Sequence, residues 1–205
     1  MTLICFINQK DKLYLASDSL ASTTSISYDN FGDKAFKKPF VFYDESKKEN
    51  EKYSEPHCFV IAGAGDAGVL TSIRYGFQLP AWNIIDSFET YVSASLIPSL
   101  RTYLLDLGYL KTIEGRQDME SEFYIIYNNQ VIKIQRGISP FISGDPYGAI
   151  GSGGLIGMGV LYSTKNWKDP MKRIKRVMDA GKGLDPSVGG RINIVTLTEK
   201  DYKGD

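Results

Sequence analysis

Cysteine and histidine are almost absent from this chain: two cysteines and one histidine in 205 residues. Cys5 and Cys58 each sit in an apolar, strand-like run. That count excludes a disulfide framework and a Cys-rich zinc site, and both thiols read as buried and reduced, as in a cytoplasmic protein. Any Ser-His-Asp triad or histidine-based metal site would rest on His57 alone, which stands beside Pro56 at the lip of a strand and reads as structural. No metal or cofactor is expected. Neither sign of charge predominates, with 24 Lys+Arg against 24 Asp+Glu. There is no basic excess for nucleic acid and no acidic interaction tail. The tract Glu45-Ser-Lys-Lys-Glu-Asn-Glu-Lys52 mixes signs and reads as a solvated loop. No apolar run approaches the roughly 18 residues needed to span a bilayer. The first residues lack the basic start and unbroken apolar run of a signal peptide. A soluble, cytoplasmic protein forming one domain over residues 1–205 is expected.

What is present begins at the N-terminus. Leu3 to Ile7 and Leu13 to Ala16 are short apolar runs flanking the polar turn Asn8-Gln-Lys-Asp-Lys12, the pattern of a β-hairpin. Thr2 opens it, and Asp18 closes it within Ala16-Ser-Asp-Ser19. Removal of Met1 would leave hydroxyl and free amine on one threonine, a nucleophile and its base in a single residue. Leu20 to Asp33, rich in Ser, Thr, Asn and Gly, reads as a loop. Phe36 to Tyr43 reads as a strand, placed at a sheet edge by Pro39, which cannot donate to the ladder. Asp44 to Pro56 reads as an exposed loop, and Cys58 to Ala62 as a strand buried on both faces.

That strand stops at Gly63-Ala-Gly-Asp-Ala-Gly68, before a helical pattern from Val69 to about Phe77. Glycines at such a turn permit positive φ and close approach to bare backbone, and N–H groups at a helix start suit an anion. The run is not a dinucleotide signature, because it follows a late strand and lacks the βαβ unit with its acidic residue. Ile84 to Leu110 is a long amphipathic stretch that Pro98 kinks or splits. Glu122 to Tyr127 and Val131 to Gln135 form a second hairpin around Asn128-Asn-Gln130. Tyr147 to Ile150 leads into Gly151-Ser-Gly-Gly154 and a helix to about Tyr162. Another helix opens at Asp169-Pro170 and ends near Ala180-Gly-Lys-Gly183, and Arg191 to Leu197 is the closing strand. Grouped strands interleaved with paired helices are not a Rossmann alternation. They imply an α+β, four-layer αββα sandwich of two antiparallel sheets flanked by helices.

These motifs, in this order, resemble the proteasome β-subunit and HslV branch of the N-terminal nucleophile (Ntn) hydrolases. Thr2 with Asp18 resembles the family's opening strand and aspartate. Phe36-Lys-Lys-Pro-Phe-Val-Phe42 resembles the strand bearing its lysine, and the bacterial relative Anbu has a similar run. Val60-Ile-Ala-Gly-Ala-Gly65 resembles the segment whose glycine amide forms the oxyanion hole. Ala149-Ile-Gly-Ser-Gly-Gly154 and Asp185 ahead of Gly189-Gly190 complete the match. Two departures stand out. The serine that the family carries ahead of its Gly-Gly pair has no obvious counterpart in Ser187-Val188. The lysine register is also open: counting from Asp18 selects Lys34, while matching the strand selects Lys38. The strand match is preferred, because apolar strand contacts hold register more firmly than a polar loop of variable length.

The resemblance implies a threonine-type endopeptidase, active once Met1 is removed. A free α-amine, with a reference pKa of about 8, would take the Thr2 hydroxyl proton directly or through one water. Lys38 would lower the pKa of both groups, and Asp18 would hold it charged. Gly63 or Gly65 would stabilise the oxyanion, and Ser152 and Asp185 would orient the amine. Each residue also has an ordinary alternative: Asp18 capping a turn, Lys38 guarding a sheet edge, Ser152 and Asp185 serving as N-cap and turn residues. Two other functions share the pattern: an Ntn amidohydrolase acting on a small amide, and an inactive assembly protein of the same fold. Peptide or unfolded protein is the substrate implied. A homo-oligomeric ring or helical assembly is the implied state, with an ATP-dependent unfoldase as a candidate partner.

Overall fold

The computed structural model describes residues 2–22, 27–28 and 34–203. Two antiparallel sheets form its centre. The first contains β1 (Ile4–Gln9), β2 (Lys12–Asp18), β8 (Tyr147–Ile150) and β9 (Ile192–Leu197), in the order β8-β1-β2-β9. The second contains β3 (Ala35–Phe40), β4 (His57–Gly65), β5 (Ser121–Tyr127), β6 (Gln130–Ile134) and β7 (Pro140–Ile142), in the order β7-β6-β5-β4-β3. Helix α1 (Ala67–Tyr75) and helix α2, which runs through residues 88–106, pack on the second sheet; α3 (Gly154–Ser163) and α4 (Pro170–Leu184) pack on the first.

Side-chain alternation explains the four layers. In β1, Ile4 and Phe6 join the large core between the sheets, while Leu3, Cys5 and Ile7 join a second core with Leu161, Ile174, Val177 and Met178 of α3 and α4. A strand covered on both faces reads as a continuous apolar run, which is why the first hairpin has so little polar alternation. Burial pushes the Cys5 thiol up to about 12, so it stays protonated and unreactive.

Several expectations change in detail. Asp169 caps α4 as its sequence implies, its carboxylate accepting from the N–H groups of Met171 and Lys172 at 2.9 and 3.1 Å. Pro39 lies in β3, the edge strand of its sheet, paired to Cys58 on one side only. The long helix is not split at Pro98. A π-helical segment, Val92–Leu96, sits just before it and Ile97 N donates to Val92 O, so the wider turn absorbs the missing proline N–H. The second hairpin turns on Asn128 and Asn129 with φ of 45° and 61°, so Gln130 is already strand. Strand β4 runs on to Gly65 instead of ending at Gly63. Within the stretch read as loop, Ala21–Ser22 pairs with Ser27–Tyr28, and 23–26 and 29–33 lie outside the described residues. Among the described residues no helix is long and apolar enough to cross a membrane.

Candidate active site

The hairpin decides what Thr2 and Asp18 have in common. Register Ile4↔Ser17 places the two ends of β1 and β2 side by side. Leu3 N donates to Asp18 Oδ1 at 3.0 Å and Asp18 N donates back to Leu3 O at 3.2 Å. Residues distant in sequence therefore meet because the chain doubles back between them. The Asp18 side chain is fully buried, and its other oxygen accepts from Gly189 N at 3.1 Å. A buried carboxylate needs such donors, and here the backbone supplies two of them.

The lysine beside Asp18 is Lys34. Its Nζ donates to Asp18 Oδ1 and to Leu20 O, both at 2.7 Å. Lys34 Nζ and the peptide nitrogen joining Thr2 to Leu3 thus share one carboxylate oxygen. Burial lowers the Lys34 pKa, opposed by the hydrogen bond and charge of Asp18. Lys38, preferred on the strand match, is not at this site. It is buried on the same face of β3 as Phe36 and Phe40, and its Nζ donates to Arg74 O at 2.9 Å, near the C-terminal end of α1. Strand periodicity accounts for its place: residues 36, 38 and 40 share the face turned toward α1. There an ammonium satisfies a late helix carbonyl.

On the other side of Thr2, its N donates to Ser152 Oγ at 3.2 Å. Ser152 Oγ lies 2.9 Å from Ser187 Oγ, and Ser187 Oγ donates to Asp185. Asp185 also accepts from Ser187 N at 2.9 Å. Burial would raise the Asp185 carboxyl, but the hydrogen bonds from Ser187 and Ser152 outweigh it and hold the pKa below its ordinary value. Ser187, which had no clear role in the sequence, is the link between Ser152 and Asp185. The available signal was the Asp-Pro-Ser spacing itself, since an aspartate carboxylate bonding the backbone two residues on is an Asx-turn.

The glycine turns enclose the same place. Gly151 has φ +92° and is so close to Thr2 that a Cβ would overlap the Thr2 carbonyl oxygen; Ala64 of β4 would also lie 3.3 Å away. Gly153 N donates to Thr2 O at 3.3 Å. In β4, Gly63 N is committed to Lys34 O at 2.9 Å, which removes Gly63 as an oxyanion donor. Asp66 N points the opposite way, to Glu120 O at 3.3 Å and Ser121 Oγ at 2.9 Å. Donors alternate sides along an antiparallel strand, so the Gly65 N–H lies on the same side of β4 as that of Gly63. Gly65 is exposed, with φ +129°, and Glu120 O occupies the place of a Cβ. Of the two candidates, only Gly63 has its amide bonded to a described residue on that side.

Thr2, Asp18, Lys34, Ser152, Ser187 and Asp185 are thus drawn together from the segment leading into β1, the end of β2, the residue ahead of β3, and the turns before α3 and after α4. His57 lies elsewhere, its ring 4.8 Å from Phe42 and its Nδ1 3.2 Å from Tyr127 Oη.

No protein-family model matches the chain, and no curated protein matches it in sequence. Solved structures do match in fold. A Thiobacillus denitrificans protein named BPH, in complex with epoxomicin, superposes with a TM-score of 0.67 at 12% identity, covering 96% of this chain and 98% of its own. The eukaryotic HslV from Trypanosoma brucei gives 0.58 at 15% identity, covering 96% and 99%. The Anbu complex from Pseudomonas aeruginosa, solved as a helical assembly, gives 0.64 at 14% identity, covering 98% and 83%. At these identities the likeness establishes the fold: this chain has the proteasome/HslV/Anbu-like Ntn fold.

Proposed function

We propose that this protein is a threonine-type peptidase whose nucleophile is Thr2, exposed by removal of Met1. The observation that carries the reading is the pair of hydrogen-bonded relays that end on the adjacent nitrogens of Thr2 and Leu3. Asp18–Lys34 is held on the Leu3 amide, and Asp185–Ser187–Ser152 is held on Thr2 N. A turn cap or an edge charge needs neither arrangement. Met1 lies outside the described residues, so the processing step belongs to the proposal.

The reaction follows from the groups present. The Thr2 amine takes the proton from its own Oγ, directly or through one water, and Oγ attacks the amide carbonyl carbon. Charge developing on the carbonyl oxygen is stabilised by the Gly65 N–H, and the Lys34 ammonium stabilises negative charge on Oγ as its proton leaves. Collapse expels the amine of the product, which takes the proton from Thr2. An ester remains on Oγ. Water, activated by the same amine, hydrolyses it and restores the hydroxyl.

Peptides rather than small amides are the substrates in this reading, supported by the fold neighbour solved in complex with epoxomicin. Identical copies assembling as a ring or helix fit the helical assembly of the Anbu neighbour. They also fit α3, which is apolar around its girth and leaves Leu155 88% and Tyr162 63% exposed. The test is direct. The chain with Thr2 at its N-terminus should hydrolyse a fluorogenic peptide amide and form a covalent adduct at Thr2 with a peptide epoxyketone. Thr2→Ala should abolish both while melting like the parent. Undiminished hydrolysis by Thr2→Ala would sink the mechanism.

A further inference from the structure

Strand alternation puts a charge where a core residue belongs. In β5, Glu122 shares a face with Tyr124, whose ring meets Phe6 of the opposite sheet edge-on at 5.0 Å. Glu122 therefore points into the space between the sheets. Lys133 of β6 sits opposite Tyr124 and joins Glu122 Oε2 at 2.6 Å. The other carboxylate oxygen crosses to the first sheet and accepts from Gly151 N at 2.9 Å. Both side chains line a cavity of about 380 Å³ together with Phe6, Tyr124, Ile150 and Gly151.

Gly151 is the residue packed against the Thr2 carbonyl, and Ser152, next in the chain, accepts from Thr2 N. The turn has φ +92° at Gly151 and closes on itself through Gly154 N donating to Gly151 O at 2.9 Å, and Glu122 is the tie that reaches its amide from the other sheet. We infer that Glu122 is a positioning residue for the nucleophile: by holding the Gly151 amide across the two sheets it fixes the turn that aims Ser152 at the Thr2 nitrogen. Lys133 anchors the carboxylate and leaves the second oxygen for the amide. A tie serving stability alone could end on any backbone group. This one ends on the residue that touches Thr2.

This inference rests on the proposed function, and its test separates the two. Glu122→Gln keeps an acceptor for Gly151 N but loses the charge pair, whereas Glu122→Leu fills the space beside Phe6 and loses the acceptor. Both are compared with the parent, each with Thr2 at its N-terminus, by kcat and KM on a fluorogenic peptide and by the pH dependence of epoxyketone adduct formation. Glu122→Leu should lower kcat about tenfold or more, within the roughly hundredfold that a 1 Å misplacement costs, with KM little changed. Its acid limb should move to lower pH, because an amine that loses its Ser152 acceptor protonates less readily. Glu122→Gln should restore most of kcat. If Glu122→Leu does not fold, Glu122→Asp, one methylene short of the amide, takes its place with the same expectation. An unchanged kcat and acid limb in the folded variant overturn the positioning role while leaving the peptidase reading intact. A parent that forms no adduct at Thr2 overturns the proposed function and this inference with it.

Discussion

Replacing Lys34 by methionine, beside the same change at Lys38, decides which lysine serves Thr2. The two side chains are chemically alike, come from neighbouring positions, and are both buried. Their partners differ. Lys34 Nζ faces the Asp18 carboxylate and the Leu20 carbonyl, whereas Lys38 Nζ is bonded to the Arg74 carbonyl. Removing one member of a buried pair costs about 3–5 kcal/mol because the other charge stays behind. The Lys34 and Asp18 side chains are 8% and 0% exposed, so solvent screens the pair little. Asp18 keeps Leu3 N and Gly189 N, which places Lys34→Met at the low end, about 3 kcal/mol. Lys38→Met forfeits one ammonium–carbonyl hydrogen bond, about 1.5–3 kcal/mol, offset in part because an uncharged side chain is cheaper to bury. Urea unfolding measures both stability losses, and adduct formation at Thr2 reads reactivity. Lys34→Met should be folded, less stable and unreactive; Lys38→Met should label at the parental rate. A reactive Lys34→Met or an unreactive, folded Lys38→Met would refute the assignment.

Two further outcomes follow from the turns. Ser187→Ala removes the hydrogen bond that most lowers the Asp185 pKa. Since a carboxyl depressed in the folded state contributes stability above its ordinary pKa and loses it as pH falls through the folded value, acid unfolding of Ser187→Ala should begin at higher pH than in the parent, with the difference from neutral-pH stability reduced; a pH titration of circular dichroism reads it. Gly151→Ala should destabilise by about 2–4 kcal/mol, combining a strained positive φ with overlap at the Thr2 carbonyl. Thermal melting checks it, and a melting temperature equal to the parent's would contradict the geometry.

Much of the fold was legible because its signals are local. Apolar runs around a polar turn make the first hairpin, Asp169-Pro170 starts α4, and adjacent asparagines turn the second hairpin. The proximity of Thr2 and Asp18 was also readable, since a hairpin is the shortest route between strand ends and its register follows from alternation. Ser152 and Asp185 were readable as turn residues beside glycines, and the structure brings both to Thr2.

Other parts were not local. Lys34 and Lys38 compete on nearly equal sequence terms, and only the pairing of β3 with β4 determines which ammonium reaches Asp18 and which reaches α1. Gly63 and Gly65 are interchangeable as letters, yet the ladder commits the Gly63 amide to Lys34 O. Ser187 acquires its role from the meeting of two turns 35 positions apart. Glu122 is only the first residue of a hairpin strand in the sequence, and its tie to the Gly151 amide exists only once the first sheet is laid across it. The sequence by itself determined the strands, the helices and the hairpin that sets Thr2 beside Asp18, because propensity and period act over a few residues. Tertiary structure alone decided which lysine, which amide and which serine surround that hairpin, because each choice depends on partners contributed by strands and turns remote in the chain.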